Sequence, residues 1–246
     1  MLVGIIPCAG YGTRLSSVTE TVPKGLVRIG SKTLLERNLT IMKDLGITRI
    51  VLVISSHTEL IRSFVGQRFE GMAVDYVVQE PPRGLLDAIY QARRTVEDRF
   101  LTLLADEVYV GCHHRGLVEY WEGKPGLSGL VGYVIATDPE DIKKNYSVLV
   151  TGARIDHLEE KPQMPVNSML GTGTWALGRA FFDYADFALT RNPPEKRNFV
   201  DALQLMIDDG GLIEGYDLVG GYVNVNSPPD VLRAKILLDS TSATNM

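Results

Sequence analysis

A chain of 246 residues, 45% of them hydrophobic, can bury a sizeable core, and it reads as one large α/β domain rather than two small ones. Its 25 Lys and Arg are outnumbered by 30 Asp and Glu, a net charge of -5, which excludes the basic face of a general nucleic-acid binder and leaves any anionic ligand to a local cationic site. The apolar start, Met1 to Pro7, lacks a basic leader, no apolar run reaches membrane-spanning length, and Cys8 and Cys112 have neither metal nor disulfide spacing, which together point to a cytoplasmic protein with no membrane partner.

In chain order, the runs "LVGIIP" (2–7), "RIVLVI" (49–54), "VDYVV" (74–78) and "FLTLLA" (100–105) are short, apolar and β-rich, and read as strands. Helical patterns lie between them. Thr33-Leu34-Leu35-Glu36 has the spacing of a capping box and opens a segment with apolar residues at Leu34, Leu35, Leu39, Ile41, Met42 and Leu45, closed by Gly46. Glu59 to Phe69 and Leu85 to Val96 carry weaker versions of the same periodicity. Alternating strand and helix implies a parallel sheet with right-handed crossovers, whose ligands gather at the carboxyl ends of the strands. Further on, "LSGLVGYVIA" (127–136), "YSVLVT" (146–151), "ARIDHLEEKP" (153–162) and "MLGTGTWAL" (169–177) read as strands with no helices between them, an antiparallel or mixed extension. Helices over 178–189 and 199–208, a strand over 221–225 and a terminal helix from Pro228 complete the pattern, with a loose tail from Ser240 to Met246.

The stretch "IPCAGYGTRLSSVTETVPKGL" (6–26) crowds three glycines, an arginine and a lysine behind the first strand. Gly10, Gly12 and Gly25 let amide groups approach an anion without side-chain interference. Arg14 adds a planar fork that matches phosphate oxygens, and Lys24 a compact point charge. No Gly-Lys-Ser/Thr follows at the offset of a Walker A loop, and the third glycine is misplaced for a dinucleotide fingerprint. The full string G-x-G-T-R with Pro23-Lys24 therefore reads as a polyphosphate cradle in preference to a flexible surface loop.

These residues resemble the signature of the sugar-1-phosphate nucleotidylyltransferases, the family of glucose-1-phosphate thymidylyl- and uridylyltransferases. The resemblance continues in order through "VVQEPPRGLLDAI" (77–89), "LLADEVYVG" (103–111), "LEEKP" (158–162), "SMLGTGTWAL" (168–177) and "GYVNVNSPPDVLRA" (221–234). It implies a Rossmann-like nucleotidyltransferase fold: one three-layer α/β/α domain with a mixed, mainly parallel central sheet and a small antiparallel extension. Residues 1–112 would form the nucleotide-binding half and 113–246 the sugar-phosphate half. The implied reaction is attack of a sugar 1-phosphate on the α-phosphorus of a pyrimidine nucleoside triphosphate, UTP or dTTP, giving a nucleotide sugar and pyrophosphate, with Mg2+ as cofactor.

Carried over residue by residue, the resemblance gives Ala9, Gly10, Gly12, Thr13, Gln79, Gly84 and Asp106 to the nucleotide, with Leu85 and Asp87 lining the base pocket. Arg14, Lys24 and Lys161 would carry catalysis. Tyr146, Glu160, Lys161 and Gly173 would bind the sugar phosphate, with Ser147 standing where the family often has glycine. Asp106 falls at the family's metal position, and the second metal carboxylate falls at Asn224, which offers only a neutral oxygen; Glu107, Asp201 and Asp230 are the candidate substitutes. Relatives often assemble, so a homo-oligomer is expected.

The attacking oxygen belongs to a phosphate already ionised near neutral pH, which agrees with the lack of any nucleophile-base triad pattern. The reaction needs alignment of two repelling anions and neutralisation of the charge that moves onto pyrophosphate. Two other readings stay open. One is a CTP-dependent cytidylyltransferase acting on phosphocholine or another phosphorylated alcohol, with Tyr133, Tyr146 and Trp175 as an aromatic cage. The other is a non-catalytic nucleotide-sugar-binding regulatory protein, prompted by Asn224 and Ser147. Cys112-His113-His114 reads as a surface loop without metal, Cys8 as a small buried strand-end residue, and "EKRN" (195–198) as a solvated loop.

Overall fold

The computed structural model describes residues 2–10, 22–193 and 196–244. Its first half runs β1 (Leu2–Pro7), β2 (Arg28–Ile29), β3 (Lys32–Thr33), α1 (Leu34–Asp44), β4 (Arg49–Ile54), α2 (Leu60–Val65), β5 (Arg68–Phe69), β6 (Met72–Val78), α3 (Leu85–Gln91) and β7 (Arg99–Thr102). The second half runs β8 (Glu107–Val110), α4 (His114–Glu122), β9 (Gly129–Ile135), α5 (Pro139–Lys144), β10 (Tyr146–Thr151), β11 (Arg154–Glu160), β12 (Met169–Gly178), α6 (Phe181–Arg191), α7 (Phe199–Asp208), β13 (Ile213–Asp217), β14 (Gly221–Asn224) and α8 (Pro228–Thr244).

Ten strands make one sheet in the order β10-β11-β13-β9-β12-β7-β1-β4-β6-β5. β7, β1, β4 and β6 pair in parallel, whereas β12 runs antiparallel to both β7 and β9, and β10 antiparallel to β11. The sheet is therefore mixed, with a parallel centre on the amino-terminal side. Strand residues alternate between its two faces. Val3 and Ile5 of β1 and Val51 and Val53 of β4 enter a core with Ile89, Phe181 and Leu203 from α3, α6 and α7. Their neighbours Ile6, Ile50, Leu52 and Ile54 face Leu35, Leu39, Ile61, Leu117 and Trp121 from α1, α2 and α4. Helices on both faces explain why the parallel strands are apolar throughout, and they give the expected α/β/α layers. Among the described residues, no helix is long and apolar enough to cross a membrane.

The capping box forms as read: Glu36 N donates to Thr33 Oγ1 at 3.1 Å, and Thr33 N donates to Glu36 Oε2 at 2.7 Å. Leu34, Leu35, Leu39 and Met42 bury the inner face of α1, and Gly46 turns the chain away at φ 79. Four expectations need correction. The stretch 59–69 is not one helix, because Gly66 (φ 73) ends α2 and releases Arg68–Phe69 to pair with β6. Helix α3 ends at Gln91 and passes into a 3-10 turn, Ala92–Thr95. The second half does contain a helix among its strands: α5 is only six residues long, but Asp138 caps it and Pro139 occupies the first turn. Finally, α8 keeps its helical backbone through Thr244, beyond the point where a loose tail was expected.

From β1 the chain moves outward to β4 and β6, then returns to β7 on the other side of β1. This reversal is a topological switch point, where the loops leaving neighbouring strands diverge and open a crevice at their carboxyl ends.

Candidate active site

The crevice holds a cavity of about 330 Å³ behind β1, β6 and β7, lined by Ala9, Gly10, Lys24, Gln79, Gly84 and Asp106 among others. Six expected residues from four separate stretches thus meet in one place. Gly12, Thr13 and Arg14 lie outside the described residues. Among the described residues, a Cβ on Gly10 would meet nothing within 4 Å. Gly84 is different: φ 101 with ψ 176 is a conformation that side-chain-bearing residues avoid, and it places α3 directly behind the cavity wall. Gln79 is 2% exposed, and its Nε2 donates to Gly84 O at 3.0 Å and to Asp87 Oδ2 at 2.6 Å. Those two bonds fix which way the carboxamide faces. Leu85 lines the cavity as expected, while Asp87 lies behind it as the partner of Gln79 and Gln91.

Lys24 rides on a 3-10 turn that Pro23 introduces at φ -54. Its Nζ donates to Asp106 Oδ2 at 2.5 Å and to Asn226 Oδ1 at 2.8 Å, and the side chain is 15% exposed. Asp106 sits where the chain has left β7 and is about to enter β8, and its carbonyl accepts from Val225 N at 2.8 Å. Asn224, expected at the second metal position, instead accepts from Asn226 Nδ2 at 2.8 Å and donates to Asn145 Oδ1 at 2.7 Å. None of the candidate substitutes offers a free carboxylate beside Asp106. Asp230 Oδ2 accepts from Asn226 N, Ser227 N and Ser227 Oγ to cap α8, and Asp201 is engaged by Asn198 at the start of α7.

A second cavity of about 260 Å³ adjoins the first, sharing Gly84, Leu85, Leu104 and Asn226, and it brings Tyr146, Glu160, Lys161 and Gly173 together. Lys161 Nζ lies 3.0 Å from Glu160 Oε1. The Lys161 backbone adopts φ 48, unusual for a side-chain-bearing residue, with its N–H donated to Asn145 O at 2.7 Å. Tyr146 OH donates to Thr172 O at 2.7 Å and accepts from Trp175 Nε1 at 2.8 Å. Ser147 is buried nearby without lining the cavity. Gly173, assigned to the sugar phosphate, lies in the cavity wall, and a Cβ there would strike Leu104 Cγ at 2.2 Å and Glu107 Oε2 at 2.5 Å. Its glycine is demanded by close packing. The aromatic cage does not assemble, because Trp175 is stacked on Phe199 at 3.8 Å and Tyr133 is not part of the cavity wall.

Glu107 is the least expected group. It is buried, and both carboxylate oxygens accept from Gly173 N at 3.0 Å, with Tyr109 OH at 2.5 Å and Tyr222 OH at 2.6 Å completing the shell. A register irregularity in β12 between Gly171 and Trp175 accompanies this N–H donation to a side chain. Burial is the main force pushing the Glu107 carboxyl up to about 7, the charge of Asp106 adds to it, and the three donors oppose it. His114, expected in a surface loop, is also buried, 3.2 Å from Thr174 Oγ1, and loss of water pushes it down to about 4. Burial likewise raises the Cys8 thiol, in keeping with an inert strand-end residue.

These shifts predict a pH dependence of stability. The Glu107 contribution is fully present below the unfolded carboxyl value of 4.5 and is lost as pH rises through about 7, a change on the order of 3 kcal/mol. His114 acts oppositely, losing its contribution as pH falls from 6.5 through about 4. Subtracting the urea-unfolding profile of Glu107→Gln from that of the wild type cancels the histidine and isolates Glu107. The difference should fall steadily across this interval, and a flat difference would contradict the burial argument.

Sequence reasoning missed Lys144, Asn145, Arg197 and Asn226, all in the wall of the second cavity. Arg197 had been assigned to a solvated loop. Its position immediately before Asn198, the N-cap of α7, was the available signal that the segment is held against the fold.

The family model described as "Nucleotidyl transferase" matches residues 3–222. The chain is 26% identical over 244 residues to the UTP–glucose-1-phosphate uridylyltransferase of Haloferax volcanii, covering 98% of each chain. It is 26% identical over 243 residues to the mannose-1-phosphate guanyltransferase of Debaryomyces hansenii, covering 95% of this chain but only 64% of the yeast protein. The UDP-glucose pyrophosphorylase structure from Acinetobacter baumannii aligns with a TM-score of 0.83 over 96% of this chain and 92% of that one, at 18% identity, a likeness of fold alone. With the motif order along the chain and the two adjoining cavities agreeing with this match, the chain belongs to the nucleotidyl transferase family, among its sugar-1-phosphate nucleotidyltransferases.

Proposed function

We propose that this chain joins a pyrimidine nucleoside triphosphate, UTP or dTTP, to a sugar 1-phosphate and releases pyrophosphate. The observation that carries the proposal is the shared wall of the two cavities, with Lys24 on one side and Lys161 on the other. A phosphate held by Lys161 reaches across that wall toward an α-phosphate neutralised by Lys24. The new bond joins the sugar-phosphate oxygen to the α-phosphorus, the bond to the β-phosphate oxygen breaks, and its electrons leave with pyrophosphate. No proton has to be removed from the attacking oxygen. The residues therefore align charges and exclude water, and Arg14 is assigned to the departing phosphates.

The donor set fits a magnesium ion shared with the triphosphate. Among the described residues no cluster of three or more acidic, histidine or cysteine side chains could cage a metal, and Lys24 engages only Oδ2 of Asp106. Magnesium commonly takes one carboxylate together with phosphate oxygens and water. Asp106 would be its protein ligand, and the ion would supply neutralisation of charge on the triphosphate. At the base, Gln79 has its amide hydrogens committed to Gly84 and Asp87, which leaves Oε1 to accept from the imide N–H that uracil and thymine share.

Pyrophosphate release should be assayed with UTP, dTTP, CTP and GTP against a panel of sugar 1-phosphates and phosphocholine. Release with UTP or dTTP and a hexose 1-phosphate is expected. Release confined to CTP with phosphocholine would move the protein to the cytidylyltransferase reading, and tight nucleotide binding without release would move it to the regulatory one.

A further inference from the structure

The segment Tyr222-Val223-Asn224-Val225-Asn226-Ser227-Pro228, which includes the expected second metal position at Asn224, carries a second asparagine two residues on, at Asn226. Loss of a metal carboxylate accounts for neither the second asparagine nor the hydrogen bonds the two make. Lys24 Nζ donates to Asn226 Oδ1 at 2.8 Å, Asn226 Nδ2 donates to Asn224 Oδ1 at 2.8 Å, Asn224 Nδ2 donates to Asn145 Oδ1 at 2.7 Å, and Asn145 Nδ2 donates to Asp141 O at 2.8 Å. Every carboxamide accepts on one side and donates on the other, all in the same direction. Such a file polarises cooperatively and ends on the ammonium.

We propose that Asn226, backed by Asn224 and Asn145, is a positioning residue that aims the Lys24 ammonium at the α-phosphate. The backbone around it is locked independently, since Val225 N donates to Asp106 O and Asn226 N to Asp230 Oδ2. The side chain is therefore free to serve orientation alone. Neutrality is part of the device. A carboxylate at position 226 would still accept from Lys24, but it could not donate to Asn224, and it would add a second negative charge to an ammonium that already pairs with Asp106. A carboxylate at 224 could not donate to Asn145. The file runs to the acceptor side of the site, because Asn145 O receives the Lys161 N–H at 2.7 Å, so the Lys24 ammonium and the Lys161 backbone are linked through its three asparagines.

The inference rests on the nucleotidyl-transfer reading of Lys24, and two measurements keep the two separable. In steady-state kinetics, Asn226→Ala should lower kcat by about tenfold or more while KM for both substrates stays within about twofold, because the aim of the ammonium matters chiefly in the transition state. Asn226→Asp should fail similarly, and its wild-type turnover would overturn the file as the source of orientation. In [15N]lysine-labelled protein without substrates, the Lys24 ammonium, assigned by its loss in Lys24→Met, should give an exchange-protected signal that disappears in Asn226→Ala. A signal that persists in Asn226→Ala, or one unprotected in the wild type, overturns the inference. If no triphosphate supports turnover, the functional reading fails alone and the ammonium signal still decides this one.

Discussion

Lys24→Ala is expected to slow nucleotidyl transfer by on the order of a hundredfold or more, and Lys161→Ala to fall somewhat short of it, by the magnitudes usual for preorganised charge donors. The ranking follows from burial. Lys24 has a side chain 15% exposed, between Asp106 and Asn226, where little solvent screens its field. Lys161 is 55% exposed and already leans on Glu160, so part of its value is screened. Its loss should appear partly as a raised KM for the sugar 1-phosphate, since it meets the incoming phosphate in the ground state as well. Lys24 should affect mainly kcat. Removing Lys24 also strands the Asp106 carboxylate in a partly buried crevice, so melting curves must accompany the kinetics to separate lost catalysis from lost folding. Pyrophosphate release followed over a range of each substrate separates kcat from KM in both variants, and a loss of only a few-fold in kcat/KM for either would contradict the charge-alignment mechanism.

How much of this site could be read from the chain depends on what kind of force places each residue. The α1 capping box and the apolar strands β1 and β4 are local patterns of four to six residues and stand where the sequence put them, whereas the strand read over 100–105 ends at Thr102. Asp106 and Gln79 stood out because each follows a strand and has a suitable chemical type, and Lys24 because it follows Pro23 behind the glycine turn. Helix α4 escaped because His114 looks polar in sequence and is buried in fact, its imidazole packed edge-on against Tyr109 with ring centroids 4.6 Å apart. Glu107 could not be foreseen as a buried hub, since its partners come from β12 and β14 as well as β8, and only the fold brings Gly173 and Tyr222 to it. The asparagine file is of the same kind. Its three members lie 79 and 2 residues apart and carry no periodic signal; their meaning is in the direction of their hydrogen bonds. Asn224 read as a deficit in the sequence and is an occupied link in the structure.

The glycines of β12 show the same contrast, and Gly171→Ala tests it. Gly171 faces Tyr146 across the β10–β12 pair, and a Cβ would lie 2.0 Å from Tyr146 Cε2 and 2.1 Å from Cζ. The ring cannot yield cheaply. Its hydroxyl donates to Thr172 O and accepts from Trp175 Nε1, and Trp175 is itself pressed against Phe199. Overpacking costs about 1–3 kcal/mol, and each buried partner left unpaired adds about 1–3 kcal/mol. A loss of roughly 3–5 kcal/mol is expected, a large share of a typical total of about 5–15 kcal/mol. For a chain of this size that corresponds to a melting temperature lower by about 6–10 °C. The sugar-phosphate cavity should suffer with it, because Tyr146 is part of its wall. In a Tyr146→Ala background the obstacle is gone, so the same glycine change should cost little more, and the double-mutant cycle should show strong coupling. If Gly171→Ala melted within a degree or two of the wild type, or if the two changes were additive, the close approach of β12 to Tyr146 would not be what this glycine is for.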